Sequence, residues 1–394
     1  MELKKGIYWN GVLDWDLRVF DIIMQTEFGT TYNSYTVKGS EKTALIETAK
    51  EKFCDSYIED IKKIVDISKV DYIVVNHTEP DHAGSAARLL ELNPEIQVVG
   101  TTSAINFLGQ IMNKPFKSIV VKEGDEISLG DKTLRFMILP NLHWPDTMYT
   151  YIPEDKTLFT CDSFGAHYCC KGILRSKVED EEGYLRAAKY YFDNILGPFK
   201  PFMNRALDRV EELDVDMICP GHGPVLDTGL EDFLKIYRGW SRVENPNTNK
   251  TVIIAFVSAY GYTRAMAQEI AEGIRGEGVD VRLYDLVEDD CSRLSEDLLH
   301  ADGILLGSPT ILGDALKPIY DLSTTMLPTI HGKKHAAAFG SYGWSGEAVP
   351  NLTQRLQQLK MKVSEGIRLR FKPSDDELAQ CRKFGESFAG ELLE

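Results

Sequence analysis

The stretch Val74-Val75-Asn76-His77-Thr78-Glu79-Pro80-Asp81-His82-Ala83-Gly84-Ser85 decides how this chain is interpreted. It continues the apolar run at residues 72–75, which predicts a buried strand, and within six residues it carries two imidazoles and two carboxylates. Four potential metal ligands therefore fall in one strand-to-helix turn, where open α/β sheets gather their ligands. Because a His-x-Glu pair in a loop is usually a solvated surface pair, the interpretation depends on the other histidines.

Composition narrows the classes of protein that the chain can belong to. Its 394 residues suit two domains, and 44 basic against 60 acidic residues give a net charge of −16, which argues against nucleic acid and an anionic membrane surface as partners. The N-terminus lacks the apolar core of a signal peptide and no segment approaches the roughly 20 apolar residues of a membrane span, so we expect a cytoplasmic protein. Seven scattered cysteines without a Cys-x-x-Cys pair argue against a disulfide framework and against a rubredoxin-type iron module.

Short strands separated by turns and a few helices fill the first part of the chain and predict a mixed α/β sandwich. His143, Asp162 and His222 each follow an apolar strand pattern, as the opening motif does. Four of the eight histidines thus lie at strand ends, namely His77, His82, His143 and His222. This repeated placement predicts one shared metal site.

A polar, proline-containing segment at residues 241–250 predicts a domain boundary. After it, apolar strands alternate with helices, which predicts a parallel, doubly wound sheet. The first of these strands leads into a glycine-containing loop with hydroxyls that opens onto a helix, an arrangement suited to a phosphate group. The absence of Gly-x-Gly-x-x-Gly and of a Walker lysine disfavours a dinucleotide or an NTP. Two further glycine-rich loops follow later strands, and the second carries Tyr342 and Trp344, which could stack on an isoalloxazine ring.

The motif resembles the metallo-β-lactamase superfamily, whose usual signature is His-x-His-x-Asp-His followed by later His, Asp and His ligands. Here Glu79 replaces the second histidine, and this replacement is typical of flavodiiron proteins. The oxygen-rich ligand set suits two irons better than zinc. The loop after the first strand of the second domain likewise resembles the phosphate loop of flavodoxins. The resemblance implies a metallo-β-lactamase-like αββα sandwich at residues 1–247 and a doubly wound, flavodoxin-like FMN-binding domain at residues 251–394.

The resemblance also implies roles for individual residues around a μ-oxo- or μ-hydroxo-bridged diiron centre. One iron would take His77, Glu79 and His143, the other Asp81, His82 and His222, and Asp162 would bridge them. His167 could hydrogen-bond a metal-bound ligand or relay protons, or it could be structural. Either Tyr190 or Tyr191 would approach the pocket. Some family members carry a histidine upstream of the motif, but this chain has none before His77.

FMN would be held by the three loops of the second domain. The candidate FMN-binding residues are Ser258, Tyr260, Gly261, Tyr262, Thr263, Pro309, Thr310, Ile311, Gly313, Ser341, Tyr342, Gly343, Trp344 and Gly346.

Joined in one chain, the two cofactors imply that the flavin feeds electrons to the irons. In the family that the chain resembles, the reaction is reduction of dioxygen to water, of nitric oxide to nitrous oxide, or both, and it serves detoxification in oxygen-sensitive cells. The resemblance implies rubredoxin or a similar electron donor, and a head-to-tail homodimer or dimer of dimers. Because rubredoxins tend to be acidic, we expect a local Lys/Arg patch near the flavin edge. The alternative is a dinuclear-metal hydrolase with a flavodoxin module, which Glu79 and the three flavin loops disfavour.

Overall fold

The computed structural model describes residues 1–394, and the chain divides into two compact units, Met1–Val243 and Glu244–Glu394. The division falls within the polar segment that predicts a domain boundary. None of the helices combines the length and the apolar character that a membrane span requires.

The first unit contains sixteen strands and seven α-helices. The strands are β1 (Glu2–Lys4), β2 (Ile7–Trp9), β3 (Val12–Asp14), β4 (Val19–Phe20), β5 (Met24–Gln25), β6 (Thr30–Tyr32), β7 (Tyr35–Lys38), β8 (Thr43–Ile46), β9 (Tyr72–Val74), β10 (Gln97–Gly100), β11 (Lys117–Val120), β12 (Glu126–Ser128), β13 (Thr133–Ile138), β14 (Met148–Ile152), β15 (Thr157–Cys161) and β16 (Met217–Pro220). The helices are α1 (Cys54–Lys62), α2 (Pro80–Ala83), α3 (Ala86–Leu92), α4 (Thr102–Met112), α5 (Glu181–Tyr191), α6 (Lys200–Glu211) and α7 (Leu230–Trp240).

These elements form four layers. A seven-stranded sheet has the order β1-β2-β7-β8-β9-β10-β11, and a five-stranded sheet has the order β12-β13-β14-β15-β16. One apolar core lies between the two sheets and includes Val74 of the first and Phe159 of the second. A second core packs the first sheet against α1, α3 and α4, and a third packs the second sheet against α5, α6 and α7. The predicted αββα sandwich is therefore confirmed.

The strand that leads into the opening motif is central to this sandwich. All three residues of β9 are buried, and β9 pairs in parallel with β8 on one side and β10 on the other. A strand covered on both faces must be apolar throughout, which explains why the run at residues 72–75 does not alternate. Polar residues begin at Asn76, directly after the apolar run, so the motif lies beyond the carboxyl end of β9 at one edge of the sheet.

The second unit contains strands β17 (Thr251–Phe256), β18 (Asp280–Asp285), β19 (Gly303–Gly307), β20 (His335–Tyr342), β21 (Lys362–Val363) and β22 (Ile367–Arg370), and helices α8 (Tyr262–Gly276), α9 (Leu294–His300), α10 (Lys317–Thr324), α11 (Pro328–His331), α12 (Ala348–Gln358) and α13 (Asp375–Leu393). Every strand pair is parallel, in the order β18-β17-β19-β20-β21, with β22 also on β20. Apolar cores cover both faces of this sheet, which confirms the doubly wound, flavodoxin-like fold. Two short strands complete this sheet: β21 pairs with the start of β20 and β22 with its end.

Candidate metal centre and flavin pocket

Parallel and adjacent strand ends bring the seven predicted metal ligands together. His77 and Glu79 lie in the turn after β9. Asp81 and His82 lie on α2, the helix that follows this turn and has Pro80 at its first position. The other three ligands follow the strands of the second sheet: His143 in the loop after β13, Asp162 directly after β15, and His222 two residues after β16. Because β15 and β16 are parallel neighbours, Asp162 and His222 emerge at the same edge.

One group of ligand atoms comprises His77, Glu79, His143 and Asp162. Glu79 Oε2 lies 3.1 Å from His77 Nε2 and 3.0 Å from His143 Nε2. Asp162 Oδ2 lies 3.5 Å from His77 Nε2 and 3.3 Å from His143 Nε2. Two atoms that each sit about 2.1 Å from one metal at tetrahedral or octahedral angles are about 3.0–3.4 Å apart, so this group has the spacing of a metal's ligand shell.

The second group comprises Asp81, His82 and His222, with the other oxygen of Asp162. Asp81 Oδ2 lies 3.0 Å from His222 Nε2 and 3.5 Å from His82 Nε2. Asp162 Oδ1 lies 2.9 Å from His82 Nε2 and 3.7 Å from His222 Nε2. The two carboxylate oxygens of Asp162 thus face different groups, which is the geometry of a bridging ligand.

Unpartnered polar atoms show that these groups suit metal ions. Both oxygens of Asp81 and Oδ2 of Asp162 are buried without a hydrogen bond. Burying a carboxylate oxygen without a partner is costly, and a metal ion would remove that cost. The two groups offer imidazole nitrogens and carboxylate oxygens, a set that suits iron.

Neighbouring charged side chains within the site shift the pKa values of its ligands strongly. Burial alone would lower the pKa of His82, but the carboxylates of Asp81 and Asp162 outweigh it and raise this pKa to about 10. Burial would likewise raise the pKa of Glu79, but contacts with His143 and His77 outweigh it and hold this pKa at about 2. The site therefore pairs carboxylates with imidazolium rings, and metal ions would displace those ring protons.

Asp146 supports the first ligand and was missed by sequence reasoning. It is fully buried, and the His77 Nδ1–H donates to its Oδ1 at 3.2 Å. Its Oδ2 accepts from the Thr78 backbone N–H at 2.8 Å and from the Thr78 hydroxyl at 2.7 Å. Such a partner fixes the ring tautomer and leaves Nε2 free for a metal. His222 has an equivalent partner in the backbone carbonyl of Thr31, 2.5 Å from its Nδ1.

His167 and Tyr191 lie beside the ligands without belonging to either group. The Tyr191 hydroxyl donates to Asp162 Oδ1 at 3.0 Å and is buried, whereas Tyr190 is 40% exposed. His167 Nδ1 lies 2.8 Å from the Thr30 hydroxyl, and its buried Nε2 has no partner. Burial and the neighbouring His222 lower the pKa of His167 well below its usual value, so the ring is neutral.

A hairpin made of β4 and β5 reaches the site from upstream of the motif. The Phe20 ring lies 4.3 Å from the His167 ring and 5.3 Å from the His222 ring, centroid to centroid. Burial, followed by the charges of Glu79 and Asp81, raises the pKa of the neighbouring Asp21. An aromatic ring and a carboxylate from upstream of the motif therefore stand beside the ligands.

The second unit contains a cavity of about 580 Å³ at the carboxyl end of its sheet, a size common for small-molecule sites. Ten of the fourteen candidate FMN residues line it: Tyr260, Tyr262, Pro309, Thr310, Ile311, Gly313, Ser341, Tyr342, Gly343 and Trp344. Leu312, Ser345 and Phe371 also line it and were not predicted. Phe371 directly follows β22.

The remaining four candidates, Ser258, Gly261, Thr263 and Gly346, shape the loops rather than line the cavity. Ser258 Oγ accepts from the Arg264 N–H at 3.2 Å, and the Thr263 hydroxyl lies 3.0 Å from that of Ser341. Gly261 precedes α8 with φ +81°, a conformation that glycine adopts easily, and no side chain caps the helix there. The Tyr262 and Thr263 amides at the start of α8 are thus open to an anion, as a flavin phosphate requires.

The first unit carries a ligand set for two metals on a lactamase-like sandwich, and the second carries a flavin-type pocket on a doubly wound sheet. Together these features define a two-cofactor redox protein. Two family models match the chain accordingly: the ODP family beta lactamase model at residues 30–223 and the flavodoxin model at residues 254–385.

Curated relatives match over almost the whole chain. The flavo-diiron protein FprA2 of Clostridium acetobutylicum is 42% identical, covering 99% of this chain and 98% of its own. The nitric oxide reductase of Moorella thermoacetica is 33% identical, covering 100% and 98%. Among solved structures, rubredoxin oxygen:oxidoreductase from Desulfovibrio gigas is 27% identical with a TM-score of 0.66, covering 100% of this chain and 98% of that one.

The chain belongs to the flavodiiron family, whose cofactors are a diiron centre and FMN. This membership makes it an oxidoreductase and favours that function over the hydrolase alternative.

Proposed function

We propose that this protein reduces dioxygen to water, nitric oxide to nitrous oxide, or both, with electrons that pass from FMN to a diiron centre. The observation that carries the proposal is the position of Asp162, whose Oδ2 faces one ligand group and whose Oδ1 faces the other. A single metal would not need two separated groups with a shared carboxylate. Relatives described as a nitric oxide reductase and as a rubredoxin oxygen:oxidoreductase support both gases as substrates.

We assign the metal ligands as the two groups divide them: His77, Glu79 and His143 to one iron, Asp81, His82 and His222 to the other, and Asp162 to both. The irons, when bound, supply the electrons that reduce the gas. The chain holds its ligands rigidly, because His77 and His222 are buried and each is fixed at Nδ1 by an outer partner. Pre-organised ligands reduce the rearrangement that electron transfer would otherwise require.

Tyr191 and His167 are the residues that we propose to assist the reaction. The Tyr191 hydroxyl already donates to Asp162 and can modulate the charge that this carboxylate offers to the metals. The neutral His167 has an unpartnered Nε2 in a buried site and can hydrogen-bond a molecule in the pocket.

The flavin assignment follows from the loops around the cavity. The start of α8 would hold the FMN phosphate, and Tyr342 and Trp344 would border the isoalloxazine ring. We accordingly place the diiron domain at residues 1–247 and the FMN domain at residues 251–394. The seven free cysteines fit the reducing conditions of a cytoplasmic location.

Exposed apolar residues support a head-to-tail homodimer or a dimer of dimers. In the first unit, Ile22 and Ile23 at the tip of the β4–β5 hairpin are 94% and 79% exposed. In the second unit, Leu312 and Trp344 at the rim of the flavin cavity are 100% and 88% exposed. Exposed apolar residues of this kind mark contact surfaces. Packing of the hairpin tip of one copy against the cavity rim of another would bury both, and it would bring the FMN of one copy beside the irons of the other. Rubredoxin, named in the D. gigas relative, is the electron donor that we propose.

The proposal is tested on anaerobically purified protein by metal and flavin analysis followed by single-turnover kinetics. We expect two irons and one FMN per chain, and rapid oxidation of the chemically reduced protein by dioxygen, nitric oxide or both. Comparing the two gases directly ranks them as substrates. Two zinc ions per chain, no bound flavin and no reaction with either gas would instead support the hydrolase. Substituting Asp162→Ala should abolish gas reduction while FMN content stays unchanged.

A further inference from the structure

One of the buried ligand histidines, His82, lacks the outer partner that His77 and His222 have. The Nδ1 atom of His77 is held by Asp146, and that of His222 by the backbone carbonyl of Thr31. The Nδ1 atom of His82 is also buried, but it has no hydrogen-bond partner. A ligating histidine almost always donates its second ring N–H to a carboxylate, a carbonyl or water. The His82 ring therefore requires an acceptor of this kind.

Glu47 offers an unused carboxylate oxygen in the same region. The residue directly follows β8 and is only 1% exposed. Its Oε1 accepts from the Asn76 backbone N–H at 2.9 Å, whereas its Oε2 is buried without a hydrogen bond. A buried carboxylate oxygen without a partner costs free energy, so its presence in the fold requires an explanation.

Electrostatic effects place the Glu47 carboxyl group beside His82. Burial raises the pKa of Glu47 to about 8, and the strongest charge that opposes this shift is that of His82, followed by that of His77. Because Coulomb energies fall with distance, this order indicates that Glu47 faces His82 more closely than His77. The two atoms without partners thus belong to neighbouring groups, one able to accept a hydrogen bond and the other able to donate one.

The backbone around Glu47 is tied to the segment that carries His82. The next residue, Thr48, donates to the His82 carbonyl through its backbone N–H at 2.7 Å and through its hydroxyl at 2.9 Å. The Glu47 N–H donates to the Val74 carbonyl at 2.9 Å. Glu47 also has φ +58°, a left-handed conformation that is uncommon for residues other than glycine and persists only where the surroundings hold it. These contacts fix the position from which the carboxyl group reaches towards the site.

We propose that Glu47 is the positioning residue for His82, an inference that rests on the proposed ligand assignment. A metal ion at Nε2 leaves the ring proton on Nδ1, and Glu47 Oε2 accepts the hydrogen bond from this Nδ1–H, directly or through one water molecule. The bond fixes the tautomer and the orientation of the ring, as Asp146 does for His77. Because His82 and His77 belong to different ligand groups, Glu47 and Asp146 each support one metal position.

A competing role for Glu47 is purely structural, through the bond between its Oε1 and the Asn76 N–H. The variant E47Q separates the two roles. Glutamine keeps one oxygen that can accept from Asn76, but it replaces the second oxygen with an NH₂ group, which cannot accept from an Nδ1–H. A merely structural residue would tolerate this change, whereas a positioning residue would not.

The test is zinc binding by the full-length protein after its metal has been removed, because Zn²⁺ is diamagnetic and allows NMR of the histidine ring nitrogens. We expect the wild type to bind two zinc ions, with a protonated and slowly exchanging Nδ1 on His82. E47Q should lower the affinity for one zinc ion about 10–100-fold, and D146N should do so for the other. E51Q removes the same charge at an exposed glutamate close in sequence and should leave both affinities unchanged. E47D keeps a carboxylate and should retain more affinity than E47Q.

Three results would overturn the role of Glu47. They are wild-type zinc affinity in E47Q, weakening of the same zinc ion by E47Q and D146N, and a wild-type His82 Nδ1 that exchanges freely with solvent. A loss of stability in urea without a loss of zinc affinity in E47Q would also overturn it, since that result describes a structural residue. Binding of fewer than two zinc ions by the wild type, or binding of zinc through His82 Nδ1, would instead refute the ligand assignment itself and the role of Glu47 with it.

Discussion

Substituting Asp146→Asn should weaken iron binding without a change in any metal ligand. The wild-type carboxylate accepts three hydrogen bonds, from His77 Nδ1–H, the Thr78 N–H and the Thr78 hydroxyl. Burial alone would raise the pKa of Asp146, but its contacts with His77 and Thr78 lower it, so the wild-type group is a carboxylate. The asparagine amide can still accept from Thr78 through its oxygen, but its NH₂ group would face the His77 Nδ1–H.

The cost can be worked from these contacts. Leaving one buried donor unsatisfied costs about 1–3 kcal/mol, which is the stability loss that we expect for Asp146→Asn. Substituting Asp146→Ala leaves all three donors unsatisfied and should cost about 3–9 kcal/mol, a large part of the 5–15 kcal/mol typical of whole domains. Loss of an outer partner to a ligating histidine typically lowers metal affinity about 10–100-fold, and we expect this range for Asp146→Asn.

The assay is iron binding in competition with a chelator, alongside urea unfolding of the metal-free protein. Asp16→Asn is the control, because Asp16 is exposed and makes no hydrogen bond or ion pair. Wild-type iron affinity in the Asp146→Asn variant would refute the argument that Asp146 positions His77. A loss of stability without a loss of affinity would show that Asp146 supports the fold alone.

Three further predictions concern other residues. Substituting Glu79→His should raise the zinc-to-iron ratio of the purified protein and slow gas reduction, and unchanged iron content and activity would contradict the role of this carboxylate. Substituting Tyr191→Phe removes the hydroxyl that donates to Asp162, so it should shift the diiron absorption bands and slow turnover, whereas the exposed Tyr190→Phe should do neither. Burial and then Lys334 lower the pKa of His331 to about 4, so its protonation favours the unfolded chain. Stability should therefore fall by about 3 kcal/mol as pH drops from about 6.5 to 4, and calorimetry should show a smaller fall for His331→Asn.

The fold and the seven candidate ligands could be predicted because each depends on local sequence. A strand buried on both faces is a continuous apolar run, so polar residues that follow it closely are conspicuous. His77 lies three residues after β9 and His222 two residues after β16, both fully buried strands, and the parallel pairing of β15 with β16 brings Asp162 beside His222.

The supporting residues could not be predicted in the same way, because their contacts join distant parts of the chain. Asp146 lies 69 residues from His77, and nothing in either segment indicates the other. The choice between Tyr190 and Tyr191 did have a local signal. Tyr184, Ala188 and Tyr191 form one buried stripe on α5 with helical spacing, so the apolar face of the helix selects Tyr191.

The position of Glu79 explains why this lactamase-like sandwich serves redox chemistry. Its Oε2 lies about equally far from His77 Nε2 and His143 Nε2, where the superfamily signature that the motif resembles would supply a third imidazole. An imidazole there would make a nitrogen-rich, three-histidine set of the kind that zinc takes in hydrolytic sites. The carboxylate instead adds a negative charge and, with Asp81 and Asp162, gives three anionic ligands for two cations. Anionic oxygen ligands stabilise the more highly charged oxidation state of a metal, so the site suits an ion that changes its charge during turnover, which zinc does not do.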